Sequence, residues 1–124
     1  MINDFEIVFY RSDSGECPVL DFISGLDKKL KAKVFRDLQL LEHNGNNLGM
    51  PFSKYLEDGI FELRTKLGSD ITRIFYFFVI HKQIVVTNGF KKKTVRTPYN
   101  EIQKAKKYKN DFLDKLQKGG YYDA

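Results

Sequence analysis

Apolar residues along the chain recur in stretches of period two and stretches of period near 3.6, the respective marks of strands and helices. Phe5–Tyr10 is β-branched and aromatic and predicts a first strand. Pro18 suits a first helical turn and Gly25 a helix end, so a short helix is expected between them. Asp27 opens a longer helix to about His43, whose Leu30, Val34, Leu38 and Leu41 form one apolar stripe. Lys28, Lys31 and Asp37 are assigned to its other side, and the Asn-Gly-Asn-Asn run at 44–47 ends it.

From residue 52 the period shortens. Phe52–Leu56 predicts a short strand, and Ile60–Lys66 alternates, with Phe61, Leu63 and Thr65 on one face and Glu62, Arg64 and Lys66 on the other. Gly68–Ser69 is a hairpin signal. Ile71–Ile80 is apolar on both faces except at Thr72 and Arg73, which predicts a central strand covered on both sides. Gln83–Phe90 follows a short turn at His81–Lys82. A last helix is expected over about Tyr99–Leu116, entered at Pro98 or Asn100, with Ile102, Ala105, Tyr108, Phe112 and Leu116 on its apolar face. Gly119–Gly120 ends it. A helical pair standing before a sheet predicts the α+β class.

Composition narrows the picture. The 124 residues predict one domain over 1–124, and 42% hydrophobic with 30% charged residues excludes disordered and collagen-like classes. No apolar run reaches 18 residues, so no membrane-spanning helix is expected. The opening residues lack the basic and apolar regions of a secretory leader. Cys17 is the single cysteine, and no Cys/His cluster has zinc spacing, so neither a disulfide nor a metal or other cofactor is expected. Together these point to a cytoplasmic protein.

The net charge of +5 is unevenly spread. Residues 1–90 hold eleven Lys/Arg against twelve Asp/Glu, whereas residues 91–118 hold ten against three. Such a basic block favours a polyanionic partner, either nucleic acid or an acidic protein segment. It is equally the pattern of a solvated lysine-rich helix.

Counting outward from a two-residue turn at Gly68–Ser69 sets Leu67 opposite Asp70, Lys66 opposite Ile71, Arg64 opposite Arg73 and Glu62 opposite Phe75. Two arginines directly opposed on one face are destabilising without compensation. Either Glu62 acts as counter-ion, in a surface trio, or the pair holds an external phosphate through its forked donors. A second two-residue turn at His81–Lys82 would set Ile80 opposite Gln83 and Arg73 opposite Phe90, with Lys91, Lys92 and Lys93 just beyond. Arg64, Lys66, Arg73, Phe90 and the lysines then converge at one end of the sheet. Cations beside an aromatic suit single-stranded RNA, whose phosphates meet Lys and Arg and whose unstacked bases stack on rings.

The segments Phe61–Glu62–Leu63–Arg64, Arg73–Phe77, Asn88–Lys93 and Thr97–Pro98 with Glu101, Ile102 and Ala105 occur in an order that resembles the HigB-like, phage-derived branch of the RelE/ParE toxin superfamily. The match covers roughly residues 52–108. The resemblance implies a RelE-like fold, a small, mostly antiparallel twisted sheet with two N-terminal helices and a C-terminal helix. It implies a toxin of a type II toxin–antitoxin system that cleaves mRNA on the ribosome. Its partners would be a cognate antitoxin, commonly a helix-turn-helix protein, together with ribosome and mRNA, and operator DNA only through the antitoxin complex.

Metal-independent RNA cleavage proceeds by attack of a 2′-OH on the adjacent phosphorus. It needs a base, charge stabilisation at phosphorus and an acid for the 5′ oxygen. His43 and His81 are expected at the surface, at a helix end and in a turn, and supply no catalytic pair. Arg64 and Arg73 are assigned to the scissile phosphate, one of Lys91, Lys92 and Lys93 to acid–base work, and Glu62, Lys66 and Phe90 to RNA binding. The resemblance supports Glu62, Arg64, Arg73, Phe90 and the lysine run, and Lys66 enters by its register alone. A crowded lysine can act as base once neighbouring cations lower its pKa. Tyr55, Tyr76 and Tyr99 are expected in the core or at the rim, Phe75–Phe78 in the core, and Cys17 as a small buried or capping residue. The basic last helix is left to ribosomal RNA, an acidic antitoxin or solvent. A gyrase inhibitor of the ParE kind, with the same fold and no nuclease chemistry, and a non-catalytic RNA-binding module are the competing readings.

Overall fold

The computed structural model describes residues 5–80, 82–91 and 96–118. In chain order they form β1 (Glu6–Phe9), α1 (Pro18–Ser24), α2 (Lys28–Asn44), a 3-10 turn at Gly45–Asn47, β2 (Ser53–Glu57), β3 (Ile60–Leu67), β4 (Asp70–Val79), β5 (Gln83–Lys91) and α3 (Tyr99–Gln117). The class is α+β, with three helices on a five-stranded mixed sheet of order β1-β5-β4-β3-β2. β1 runs parallel to β5, and the other three pairings are antiparallel. Among the described residues, no helix is long and apolar enough to cross a membrane.

Local chemistry sets the element ends. The Asp27 carboxylate accepts from Leu30 N at 2.9 Å and caps α2, satisfying a backbone donor that a helix start leaves open. Pro18 occupies the first turn of α1, where its missing N–H costs nothing, behind a buried Cys17. Gly68, at φ +63°, starts the two-residue β3–β4 turn, and Leu67 pairs with Asp70 as counted from sequence. Asp58–Gly59 turns β2 into β3 with both φ values positive, the backbone that suits a tight hairpin.

The sheet is covered on both faces. Val19 and Ile23 of α1 and Val34, Leu38 and Leu41 of α2 pack on Leu63, Ile74, Tyr76, Ile84 and Val86. Ile102, Ala105 and Phe112 of α3 pack on Ile60, Phe75, Phe77 and Val85 from the other side. β4 is therefore the central covered strand expected of its two-sided apolar pattern. Each fully buried large side chain contributes roughly 2 kcal/mol, which accounts for the aromatic run Phe75–Phe77 as core.

Three sequence expectations are corrected. The β4–β5 connection spans three residues, 80–82, rather than two, since Val79 pairs with Gln83, and Lys82 takes φ +60°. A bulge then sets Thr87 and Asn88 against the single residue Phe75, and this restores the pairing of Arg73 with Phe90. Asp37, placed by its charge on the outer face of α2, is instead buried against the sheet, where it accepts from the Thr65 hydroxyl at 2.7 Å.

The lysines of α3 are largely engaged within the chain. Lys106 bonds Glu57 and Asp58, Lys109 bonds the Asp58 carbonyl, and Lys115 bonds Asp13 and Asp111. Lys104 and Lys118 pair with Glu101 and Asp114 on the helix itself. These acids neutralise much of the basic block that the last quarter of the sequence displays.

Candidate functional site

The register of β3, β4 and β5 builds one cluster at one end of the sheet. Arg64 stands opposite Arg73, and Arg73 opposite Phe90. Thr72 pairs with Lys91, the last residue of β5, which is exposed. By alternation Lys91 falls on the opposite face of the sheet from Arg73 and Phe90, so it is at the same end but does not join the arginines. Lys92 and Lys93 lie outside the described residues. Lys66, two residues beyond Arg64, is exposed.

The two arginines are compensated from within. Arg73 Nη1 donates to Glu62 Oε2 at 2.9 Å, and Arg64 Nε lies 3.6 Å from the same oxygen. The hydroxyl of Thr97, in the segment leading to α3, donates to Glu62 Oε1 at 2.7 Å. Alternation puts Glu62 on the α3 face of β3, next to Ile60 in the second core. The trio is not at the surface: the Glu62 and Arg73 side chains are each 1% exposed. A carboxylate this dry is stable only beside cations and donors, and it holds both in place.

Exposure separates the two arginines. The Arg64 side chain is 18% exposed, and its Nε is buried with no hydrogen-bond partner among the described residues. It is the member of the pair that can reach a ligand. Arg73 is enclosed with its carboxylate and acts on anything outside through Glu62 and Arg64. Phe90 is 9% exposed and stacks on Phe75 at 5.9 Å between centroids. Its ring is core, so the base platform expected of it is not offered here. Glu62 likewise faces inward and is an anchor for arginines rather than a surface contact.

The remaining polar aromatics are settled by packing. The Tyr76 hydroxyl bonds the Ser53 hydroxyl inside the first core, and burial pushes it up to about 12, far from acid–base work near neutrality. Tyr55 and Tyr99 are exposed at the rim, where Lys106 lies 5.9 Å from the Tyr99 centroid. His43 is exposed in the last turn of α2, and His81 lies outside the described residues. Among the described residues, no three His, Cys, Asp or Glu side chains gather as a metal site.

One part of the site escaped the sequence reading. Next to Arg64, Lys33, Arg36 and Asp37 of α2 line a small cleft together with Pro51, Phe52 and Lys66. Its sequence signal was the spacing of Asp37, which falls three residues after Val34 and four before Leu41, within the apolar stripe. Phe52 enters through its backbone, because its carbonyl accepts from Arg64 N at 2.7 Å.

Residues 21–110 match the family model described as phage derived protein Gp49-like. No curated protein matches the chain. The matched span takes in α2, the whole of β2–β5, and the arginine cluster with its carboxylate.

Proposed function

The chain belongs to the phage-derived Gp49-like family, and from that premise we propose that it is the toxin of a type II toxin–antitoxin system, an endoribonuclease that cuts mRNA during translation. A cognate antitoxin neutralises it, and the ribosome presents its substrate. The chain is α+β, with β1 and two helices before the antiparallel strands β2–β5 and one helix after them, and the RelE-like, HigB-branch assignment is part of this proposal.

The observation that carries this reading is the opposed pair Arg64 and Arg73 on one buried carboxylate at one end of the sheet. The reaction requires the substrate's own 2′-OH to attack the adjacent phosphorus. The hydroxyl proton passes to a base, the bond from phosphorus to the 5′ oxygen breaks, and that oxygen takes up a proton. The products are a 2′,3′-cyclic phosphate and a 5′-hydroxyl. Arg64 supplies forked donors to the developing negative charge. Arg73 and Glu62 hold it in position. The base or acid is assigned to one of the lysines Lys91, Lys92 and Lys93. The ribosome's positioning of the message supplies the orientation that a shallow cationic site lacks.

Primer extension on a message in a purified translation system tests this. The expected result is discrete cuts within translated codons, absent without ribosomes and absent with Arg64→Ala. An intact message with blocked translation would overturn the cleavage mechanism. An intact message with normal translation would overturn the ribosomal target and favour the gyrase reading, which a supercoiling assay decides.

A further inference from the structure

The two carboxylate oxygens of Glu62 do different work. Oε2 faces both arginines, at 2.9 Å from Arg73 Nη1 and 3.6 Å from Arg64 Nε. Oε1 accepts from the Thr97 hydroxyl at 2.7 Å, across 35 residues of chain. The terminal torsion of a glutamate is broad, so its rotamer alone does not fix the plane of the carboxylate. The hydroxyl does, by holding one oxygen of a group whose side chain is 1% exposed.

Thr97 is itself held in place. Pro98 follows it and confines its backbone to extended conformations, and a β-branched side chain has few χ1 states. Pro98 is the N-cap residue of α3, and its carbonyl accepts from Glu101 N at 3.1 Å. Ile102, Ala105 and Phe112 then pack α3 on the sheet. Asn88 Nδ2, from the β5 bulge, donates to the Glu101 carbonyl at 3.5 Å and ties the start of α3 to the sheet a second time. The hydroxyl therefore reaches Glu62 from a preset point.

Arg64 is the residue that depends on this. At 3.6 Å its contact with Oε2 is an ion pair longer than a hydrogen bond, and its Nε has no hydrogen-bond partner among the described residues. Where Oε2 sits decides how much of the guanidinium is left for an outside anion. A carboxylate free to turn would close on Nε and hold Arg64 in a plain internal pair.

We propose that Thr97 is a positioning residue for the phosphate site: its hydroxyl fixes the plane of Glu62 and, through it, the place of Arg64. The inference rests on the ribonuclease reading for the anion that Arg64 meets, and it extends the site from the sheet to the start of α3.

The test compares, in the whole chain, Thr97→Val, which keeps the shape and removes the hydroxyl, with Thr97→Ser, which keeps the hydroxyl. Thr97→Ala takes the place of the valine variant should urea midpoints show that one unfolded. The first readout is the Arg64 Nε–H signal in nitrogen–proton NMR correlation spectra, assigned by its absence from Arg64→Lys. It should shift in Thr97→Val and return in Thr97→Ser. The second is single-turnover cleavage in the purified translation system. Thr97→Val should cut about 10-fold more slowly or worse, and Thr97→Ser within about 3-fold of wild type. Combined with Arg64→Ala, Thr97→Val should add almost nothing, because both act through one guanidinium. A mere staple for α3 would lower the urea midpoint, leave the Arg64 signal in place and cost the same in either background, and that result would overturn the proposal. So would a serine variant as slow as the valine one. A shifted, serine-restored Arg64 signal with an intact message would leave the role of Thr97 standing and defeat the nuclease reading. Normal cleavage by Thr97→Val would do the reverse.

Discussion

Arg64 of β3 and Arg73 of β4 stand directly opposite each other, and one oxygen of Glu62 lies within 3.6 Å of the first and 2.9 Å of the second. Like charges in that relation repel, so the carboxylate is what makes the pairing tolerable. The pair is graded in depth, with Arg73 enclosed and Arg64 partly open. A fixed, partly desolvated guanidinium binds phosphate more strongly than one waving in water, because little reorganisation is left to pay for.

Glu62→Gln tests the anchor. The amide can still accept from Thr97 but no longer neutralises two arginines, one of them fully buried. A loss of roughly 3 kcal/mol is expected, the scale for breaking a buried pair from one side. Urea unfolding at neutral pH reads it directly. A loss under about 1 kcal/mol would mean that the arginines do not depend on this carboxylate.

Arg64 and Arg73 are expected to fail in different ways. Arg64→Ala should stay within about 1 kcal/mol of wild-type stability and lose about 100-fold or more in cleavage, the scale for removing one donor to a transition-state oxyanion. Arg73→Ala should first lose stability, by roughly 3–5 kcal/mol, since it strands the Glu62 charge in the interior. Urea midpoints and single-turnover cleavage, measured on the same preparations, separate the two. Arg64→Ala that cuts normally would remove Arg64 from the chemistry.

Much of this cluster was legible because register is arithmetic once a turn is known. Gly68–Ser69 names a two-residue turn, and the Arg64–Arg73 pairing follows from it. The Arg73–Phe90 pairing also agreed with the count, but through two offsets that cancel, a connection longer by one residue and a bulge at Thr87–Asn88. Neither leaves a clear mark in composition, since the connection at 80–82 has no glycine. Burial was less legible than register. An acid reads as solvent-facing until its partner is known, and Asp37 finds its partner, Thr65, 28 residues away. The acids that occupy the α3 lysines, Asp13, Glu57 and Asp58, are equally remote in sequence.

Asp37→Ala is expected to cost about 1–3 kcal/mol, because the Thr65 hydroxyl then lies buried without its acceptor. Asp37→Asn retains an acceptor and should cost clearly less. Urea midpoints of the two variants check the order. Equal losses would show that the carboxylate's charge matters more than its bond to Thr65.

The attachment of α3 carries a pH signature. Asp111 accepts from the Tyr10 hydroxyl at 2.6 Å and pairs with Lys115 at 2.8 Å. The bonds from Lys115 and Tyr10 hold its carboxyl below the ordinary aspartate value. A carboxyl depressed on folding stabilises the fold fully above its unfolded pKa, near 4, and this is lost as pH falls through the folded value. Lys115 is raised, chiefly by its bonds to Asp111 and Asp13. Its share is complete below the unfolded lysine value of about 10 and is lost only as pH rises through the still higher folded value. The bridge therefore contributes a plateau between the two limits. Part-exposed as it is, it should be worth about 1 kcal/mol. The stability difference between wild type and Asp111→Asn, from urea midpoints, should stay constant from about pH 5 to 9 and shrink below about pH 4. Taking the difference removes the titration of the other carboxylates, which fall in the same acid window. A difference that does not change between neutral pH and about pH 3 would mean that Asp111 holds α3 by shape and not by charge.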